Sequence, residues 1–235
     1  MMENWLPIAV GVFWGGMILY GHYRGFIRQA VSMAALLVTL VVVDLSMPYV
    51  TDYLKNSTFV YQAFETGVKN ATGVNEQMES SVPAQQRMII ESLNLPEQIE
   101  EALLENNNTE IYEILGVDRF TDYISGYLTN AFINIVGFLV TFLAVYFLIR
   151  LFMRWADLIA RLPILSGINQ LAGAALGALE GLIILWILCL IVTVFAATDP
   201  GREIMSQINN SMWLKFIYDH NILSMLVAGV IKGFL

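Results

Sequence analysis

The stretch Leu171-Ala172-Gly173-Ala174-Ala175-Leu176-Gly177-Ala178-Leu179-Glu180-Gly181 decides the fold class of this chain. Gly173, Gly177 and Gly181 recur every fourth residue, so one face of a helix here is bare backbone, and Glu180 is the single charge within residues 162–198. Small residues at that spacing let a second helix approach closely where lipid supplies no hydrophobic drive, and an ionisable group at that depth needs a protein partner. The stretch therefore reads as a membrane helix built to be packed against.

The composition agrees. Hydrophobic residues make up 57% of the 235 and charged residues only 14%, with a mean hydropathy of +0.63, which is too apolar for one ordinary soluble domain. The net charge of -8 argues against nucleic acid, whose phosphates would be repelled. A lone cysteine, Cys189, cannot form an intrachain disulfide and lies in the last apolar run as core filler. The first apolar run follows Met1, Met2, Glu3 and Asn4 without the basic leader of a cleavable signal, so it reads as a retained span.

A hydrocarbon layer of about 30 Å takes roughly 20 helical residues, and four segments meet that length: residues 5–21, 26–47, 127–149 and 171–197. Pro163 and the pair Ser166-Gly167 point to a turn before the fourth. Arg24 and Arg28 flank the link between the first two spans, and Arg150, Arg154 and Arg161 flank the link between the last two. By the positive-inside rule both links are cytoplasmic, which puts both termini and the segment between spans two and three outside. The expected organisation is 1–50 (spans one and two), 51–122 (acidic helical insertion), 123–198 (spans three and four with an amphipathic cytoplasmic linker over 149–162) and 199–235 (extracytoplasmic or interfacial tail).

The insertion holds most of the acid and shows helical punctuation. Pro96 opens one short helix whose stripe is Ile99, Leu103 and Leu104; Thr109 caps another over residues 109–115, which Gly116 ends. Two to four short helices and no sheet are expected, lying on one another and on the membrane surface, as either a polar spacer or a partner-binding face. In the tail, Leu223, Leu226, Val227, Val230 and Phe234 make an apolar side, and Trp213 and Tyr218 suit an interfacial position.

A family resemblance joins two of these stretches. Arg24-Gly25-Phe26-Ile27-Arg28-Gln29-Ala30-Val31-Ser32, directly after a first apolar helix, resembles the signature of the colicin V production protein (CvpA) family. Ser166-Gly167, then Leu171-Ala172-Gly173, then Leu176-Gly177-Ala178-Leu179-Glu180-Gly181 is similar to that family's approach to its last span. The resemblance covers residues 3–50 and 127–197. It implies a protein of the bacterial inner or plasma membrane, linked to production or export of a peptide toxin and to envelope homeostasis, with no enzymatic mechanism attached.

The residues themselves point away from catalysis. His22 and His220 fall on opposite sides of the membrane in this topology, and no Walker-type loop, HExxH motif or nucleophile elbow is present. No catalytic residue, cofactor or metal is expected. The N-x-Ser/Thr matches at Asn56, Asn70, Asn107 and Asn209 are incidental in a bacterium. The remaining candidates are helix-packing glycines, Gly11, Gly15, Gly173, Gly177 and Gly181, and an intramembrane charge pair of Glu180 with Arg28 or Arg24. A carboxylate in lipid costs roughly 2.5–3.5 kcal/mol on insertion scales, so Glu180 should be paired, protonated or facing water. The reading is an all-α integral membrane protein with four transmembrane helices and a small helical extracytoplasmic insertion between the second and third. It acts as a non-enzymatic accessory, with a small oligomeric channel or transporter, or an anchor for an extracytoplasmic partner, as alternatives. Its expected partners are the lipid bilayer, a homo-oligomeric copy of itself and an envelope or secretion protein.

Overall fold

The computed structural model describes residues 5–93, 95–155 and 167–224, and among these the regular structure is helical throughout. The chain runs α1 (Trp5–Arg24), α2 (Phe26–Asn56), α3 (Thr58–Thr72), a 3-10 turn (Glu76–Met78), α4 (Pro83–Ser92), α5 (Glu97–Glu105), α6 (Thr109–Leu115), α7 (Phe120–Trp155), α8 (Gly167–Phe195), α9 (Asp199–Asn209) and α10 (Met212–Asp219). Helices α1, α2, α7 and α8 are long and apolar enough to cross a membrane. Residues 156–162 of the expected linker, the turn at Pro163 and Ser166, and Leu226, Val227, Val230 and Phe234 lie outside the described residues.

The distribution of side chains is that of a protein in lipid. Ile8, Val12, Leu19, Leu37, Val41, Leu45, Phe147 and Phe152 are exposed, while Gln29, Ser32, Thr39, Asn134 and Glu180 are buried. Apolar residues on the outside and polar ones within make sense only if the outer solvent is hydrocarbon.

Two of the four spans are longer than a crossing requires. At about 1.5 Å per residue, the 31 residues of α2 reach about 46 Å and the 36 of α7 about 54 Å, against about 30 Å of hydrocarbon. The expected boundaries at 50 and 123 are thus not breaks: α2 continues through Pro48 to Asn56, and α7 begins at Phe120. The insertion packs on the adjoining parts of α2 and α7. Leu103, Ile90 and Ile111 join Phe120, Tyr123 and Leu128 of α7 and Val43 and Met47 of α2 in one continuous core. A stripe too thin for a core of its own is completed by the long helices α2 and α7.

Helix α6 has the expected bounds, 109–115, and α5 begins one residue after Pro96. Pro96 occupies the N-cap of α5, and Asn108, not Thr109, caps α6, its side chain accepting from the Ile111 amide at 3.1 Å. Gly116 ends α6 with φ +66°, a conformation that favours glycine.

Candidate functional site

The α1–α2 link sets the geometry of the site. Gly25, at φ +77°, allows a one-residue turn, and from α8 the Asn169 side chain accepts the Phe26 amide at 3.1 Å, capping α2 from another span. Helix α8 lies against both partners of that turn. A Cβ on Gly21 would meet the Gly173 carbonyl and, at 2.9 Å, the Gly177 Cα; one on Gly173 would meet the Gly21 carbonyl and, at 2.9 Å, the Gly25 Cα; one on Gly177 would meet the Met17 carbonyl. Gly181 faces the side chains of Met17 and Trp14, and the Trp14 indole donates to the Ala178 carbonyl at 2.9 Å. Backbone touches backbone along this seam.

Gly11 and Gly15 do not take part. A Cβ on either would meet nothing within 4 Å. Helices α1 and α8 do cross closely, but through Trp14, Met17 and Gly21, a face about a quarter turn away from Gly11 and Gly15 at roughly 100° per residue.

Close packing of α8 carries Glu180 into the interior, where it is 5% exposed. Gln29 of α2 donates its side-chain amide to Glu180 Oε2, and the Ser32 hydroxyl donates to Oε1 at 2.8 Å. Ser32 in turn accepts from Arg150 of α7 at 2.9 Å, and the Arg150 guanidinium stands 3.8 Å from Glu180 Oε1. Arg150 is itself oriented by Tyr146, whose hydroxyl accepts at 2.8 and 3.0 Å and whose ring lies 5.2 Å away. One carboxylate thus ties three spans together.

The expected pairing with Arg28 or Arg24 is corrected. Helix α2 turns Gln29 and Ser32 toward α8, so the neighbouring Arg28 is directed outward and is exposed. Arg24 lies over the Tyr20 ring at 5.2 Å. Arg150, read from sequence as a topology marker alone, supplies the cation. Gln29 and Ser32 were in plain view: three residues apart, they put two polar groups on one face of an apolar helix.

A second constellation anchors the insertion. Glu79 accepts the amides of Phe120 and Thr121 at 3.0 and 3.1 Å and the Thr121 hydroxyl at 2.7 Å, so its carboxylate sits on the N-terminus of α7, with Arg119 at 3.7 Å. Burial pushes this carboxyl up, but the Thr121 and Phe120 hydrogen bonds and the Arg119 charge outweigh it and hold it below the usual range. Burial, with Glu79 nearby, pushes the Tyr112 hydroxyl up to about 12. A polar cleft of about 560 Å³ opens beside it, lined by Glu79, Ser80, Gln86, Asn107, Tyr112 and Asp118 among others.

The described part of the tail forms two helices, α9 and α10. Tyr218, expected at the lipid interface, is 5% exposed, with its hydroxyl 2.8 Å from that of Thr193. Gln207 of α9 accepts the Leu6 amide of α1 at 3.0 Å, and Lys215 of α10 pairs with Glu97 of the insertion at 2.8 Å. His22 lies in the last turn of α1, and His220 follows α10.

Known proteins resemble part of this chain. The family model described as colicin V production protein matches residues 113–222, which takes in α7, α8 and the α9–α10 tail. The match thus extends past residue 197, where the resemblance read from sequence ended. The uncharacterized transmembrane protein YshB of Bacillus subtilis (strain 168) is 29% identical over 85 residues, or 36% of this chain and 48% of the relative. The matched stretch spans about half the length of that relative. No solved structure matches the chain.

Proposed function

We propose that this multi-pass membrane protein, whose residues 113–222 match the colicin V production protein family, is a member of that family and a non-enzymatic membrane scaffold. It serves production or export of a bacteriocin-type peptide and, more broadly, envelope maintenance. The observation that carries the reading is the occupancy of Glu180: both oxygens are engaged by Gln29, Ser32 and Arg150. A carboxylate so engaged acts as a joint between helices, not as a free acid awaiting a substrate. With the arginine-bearing ends of the spans in the cytoplasm, the insertion and tail face the extracytoplasmic side of a bacterial inner or plasma membrane. The polar cleft beside Glu79 then offers an export or envelope partner its docking surface.

The test replaces residues 58–115 with a flexible linker in cells that secrete a bacteriocin, leaving the four spans intact. Secretion should fall while the protein still inserts, and photocrosslinking from the cleft in the intact chain should capture an envelope protein. Unchanged secretion in cells lacking the chain altogether would overturn the proposal. Solute flux through reconstituted vesicles that is lost in Glu180→Gln would favour a transporter instead.

A further inference from the structure

The tail packs back on the fourth span. Gly173 packs on Gly25 at the α1–α2 turn, so α8 enters the hydrocarbon near that residue. About 20 residues are needed to cross, which brings α8 to the other boundary near Thr193. Trp186 then lies seven residues short of it, roughly 10 Å inside at about 1.5 Å per residue.

Helix α10 and the residues after it are bonded along that last stretch. The Tyr218 hydroxyl meets Thr193 at 2.8 Å, the Trp186 indole donates to the Ile217 carbonyl at 3.2 Å, and the Asn221 side-chain amide donates to the Trp186 carbonyl at 2.9 Å. The chain therefore turns at α9 and descends beside α8. Helical order breaks at His220 and Asn221, where lipid would punish an unsatisfied polar group. Asn221 is 2% exposed, and its side-chain oxygen accepts the Leu223 amide at 3.0 Å, so the break is covered and bonded.

We infer that α10 is a re-entrant interfacial element, and that the face formed by Met212, Phe216 and, beyond the break, Ile222 is covered by lipid of the adjacent leaflet. These side chains are 92%, 61% and 53% exposed, which in water would be an unprotected apolar patch. The bonds of Ile217 and Asn221 to Trp186 hold this stretch against the fourth span. Charges limit the depth. Lys215 is drawn to Glu97 of the insertion, and Asp219 and His220 close the helix, so α10 rests where headgroups meet chains.

Nitroxide labels decide the matter. Phe216→Cys and Ile222→Cys, each in a Cys189→Ala background, would be labelled in the full chain and reconstituted into phosphatidylethanolamine–phosphatidylglycerol vesicles. Glu105→Cys on the insertion serves as the water-exposed control. Oxygen collisions should exceed those of a water-soluble nickel chelate several-fold at 216 and 222, with the order reversed at 105. A preference for the chelate at both tail sites would overturn the inference, placing α10 in water. Exclusion of both quenchers with spin–spin broadening would also overturn it, since a second copy would then cover the face. Monodisperse elution and an unchanged helix signal check that each variant is folded, and the two sites are independent of each other.

Discussion

Two glycine-bearing faces of the bundle carry the same spacing and have opposite fates. On α8, Gly173 and Gly177 lie against the backbone of α1, and an added Cβ would strike carbonyls or Cα atoms; on α1, Gly11 and Gly15 have nothing within 4 Å of that position. The glycine that answers α8 is Gly21, which belongs to no four-residue series within α1. Four-residue spacing says that a face can be approached closely. Which face is approached depends on the direction in which the partner helix crosses, and that comes from the tight turn at Gly25 and from Asn169 capping α2.

The strongest way to break this contrast is to fill both faces. Gly177→Leu should lose the folded bundle, because backbone cannot yield as side chains do; the cost should exceed the roughly 1–3 kcal/mol of ordinary overpacking. Gly15→Leu should leave the melting temperature in detergent almost unchanged. An equal loss from Gly15→Leu would mean that a second copy or another protein packs on that face of α1.

A smaller effect sharpens what the close seam is for. If it serves to seat Glu180, then Arg150→Leu strands a buried carboxylate and should cost about 2–3 kcal/mol. That is below the usual cost of unpairing a buried charge, because the guanidinium is 37% exposed and partly screened. Adding Glu180→Gln should recover part of the loss, whereas combining Glu180→Gln with Arg28→Gln should recover nothing. Rescue by Arg28→Gln in a thermal-shift assay would restore the pairing read from sequence.

The smallest effect lies away from the glycine seam, at the head of α7. Glu79→Gln should cost about 1 kcal/mol, as loss of a capping side chain does. Because the folded carboxyl titrates below its ordinary value of 4.5, its contribution is complete above that pH and is lost as pH falls through the lower folded value. Thermal melts by circular dichroism should therefore show the wild type and Glu79→Gln converging under acid. Parallel curves down to the lowest pH would mean that Glu79 does not hold the helix end as a charge.

Much of the fold was legible because local physics writes it into the chain. Four apolar runs of membrane length, glycine after α6 and proline before α5 each act within a few residues. The site was legible only in its centre. Glu180 stands out against residues 162–198, but its partners are 148 to 151 residues away on α2, at Ser32 and Gln29, and on α7 at Arg150. Arg150 looked like a headgroup anchor because a terminal arginine on an apolar helix serves that purpose equally well.

By itself the sequence determined that this chain lives in a bilayer, that it does so with four helices, and that one of them carries a carboxylate among glycines. Those properties follow from hydropathy, length and the absence of a Cβ, each a matter of a residue and its near neighbours. The tertiary structure alone decided that Arg150 and not Arg28 faces Glu180, that Gly21 and not Gly15 meets α8, and that the insertion shares a core with α2 and α7. Each of these depends on how helices cross and rotate against one another, and a shift of one residue, about 100° around an α-helix, sends a side chain to a different neighbour.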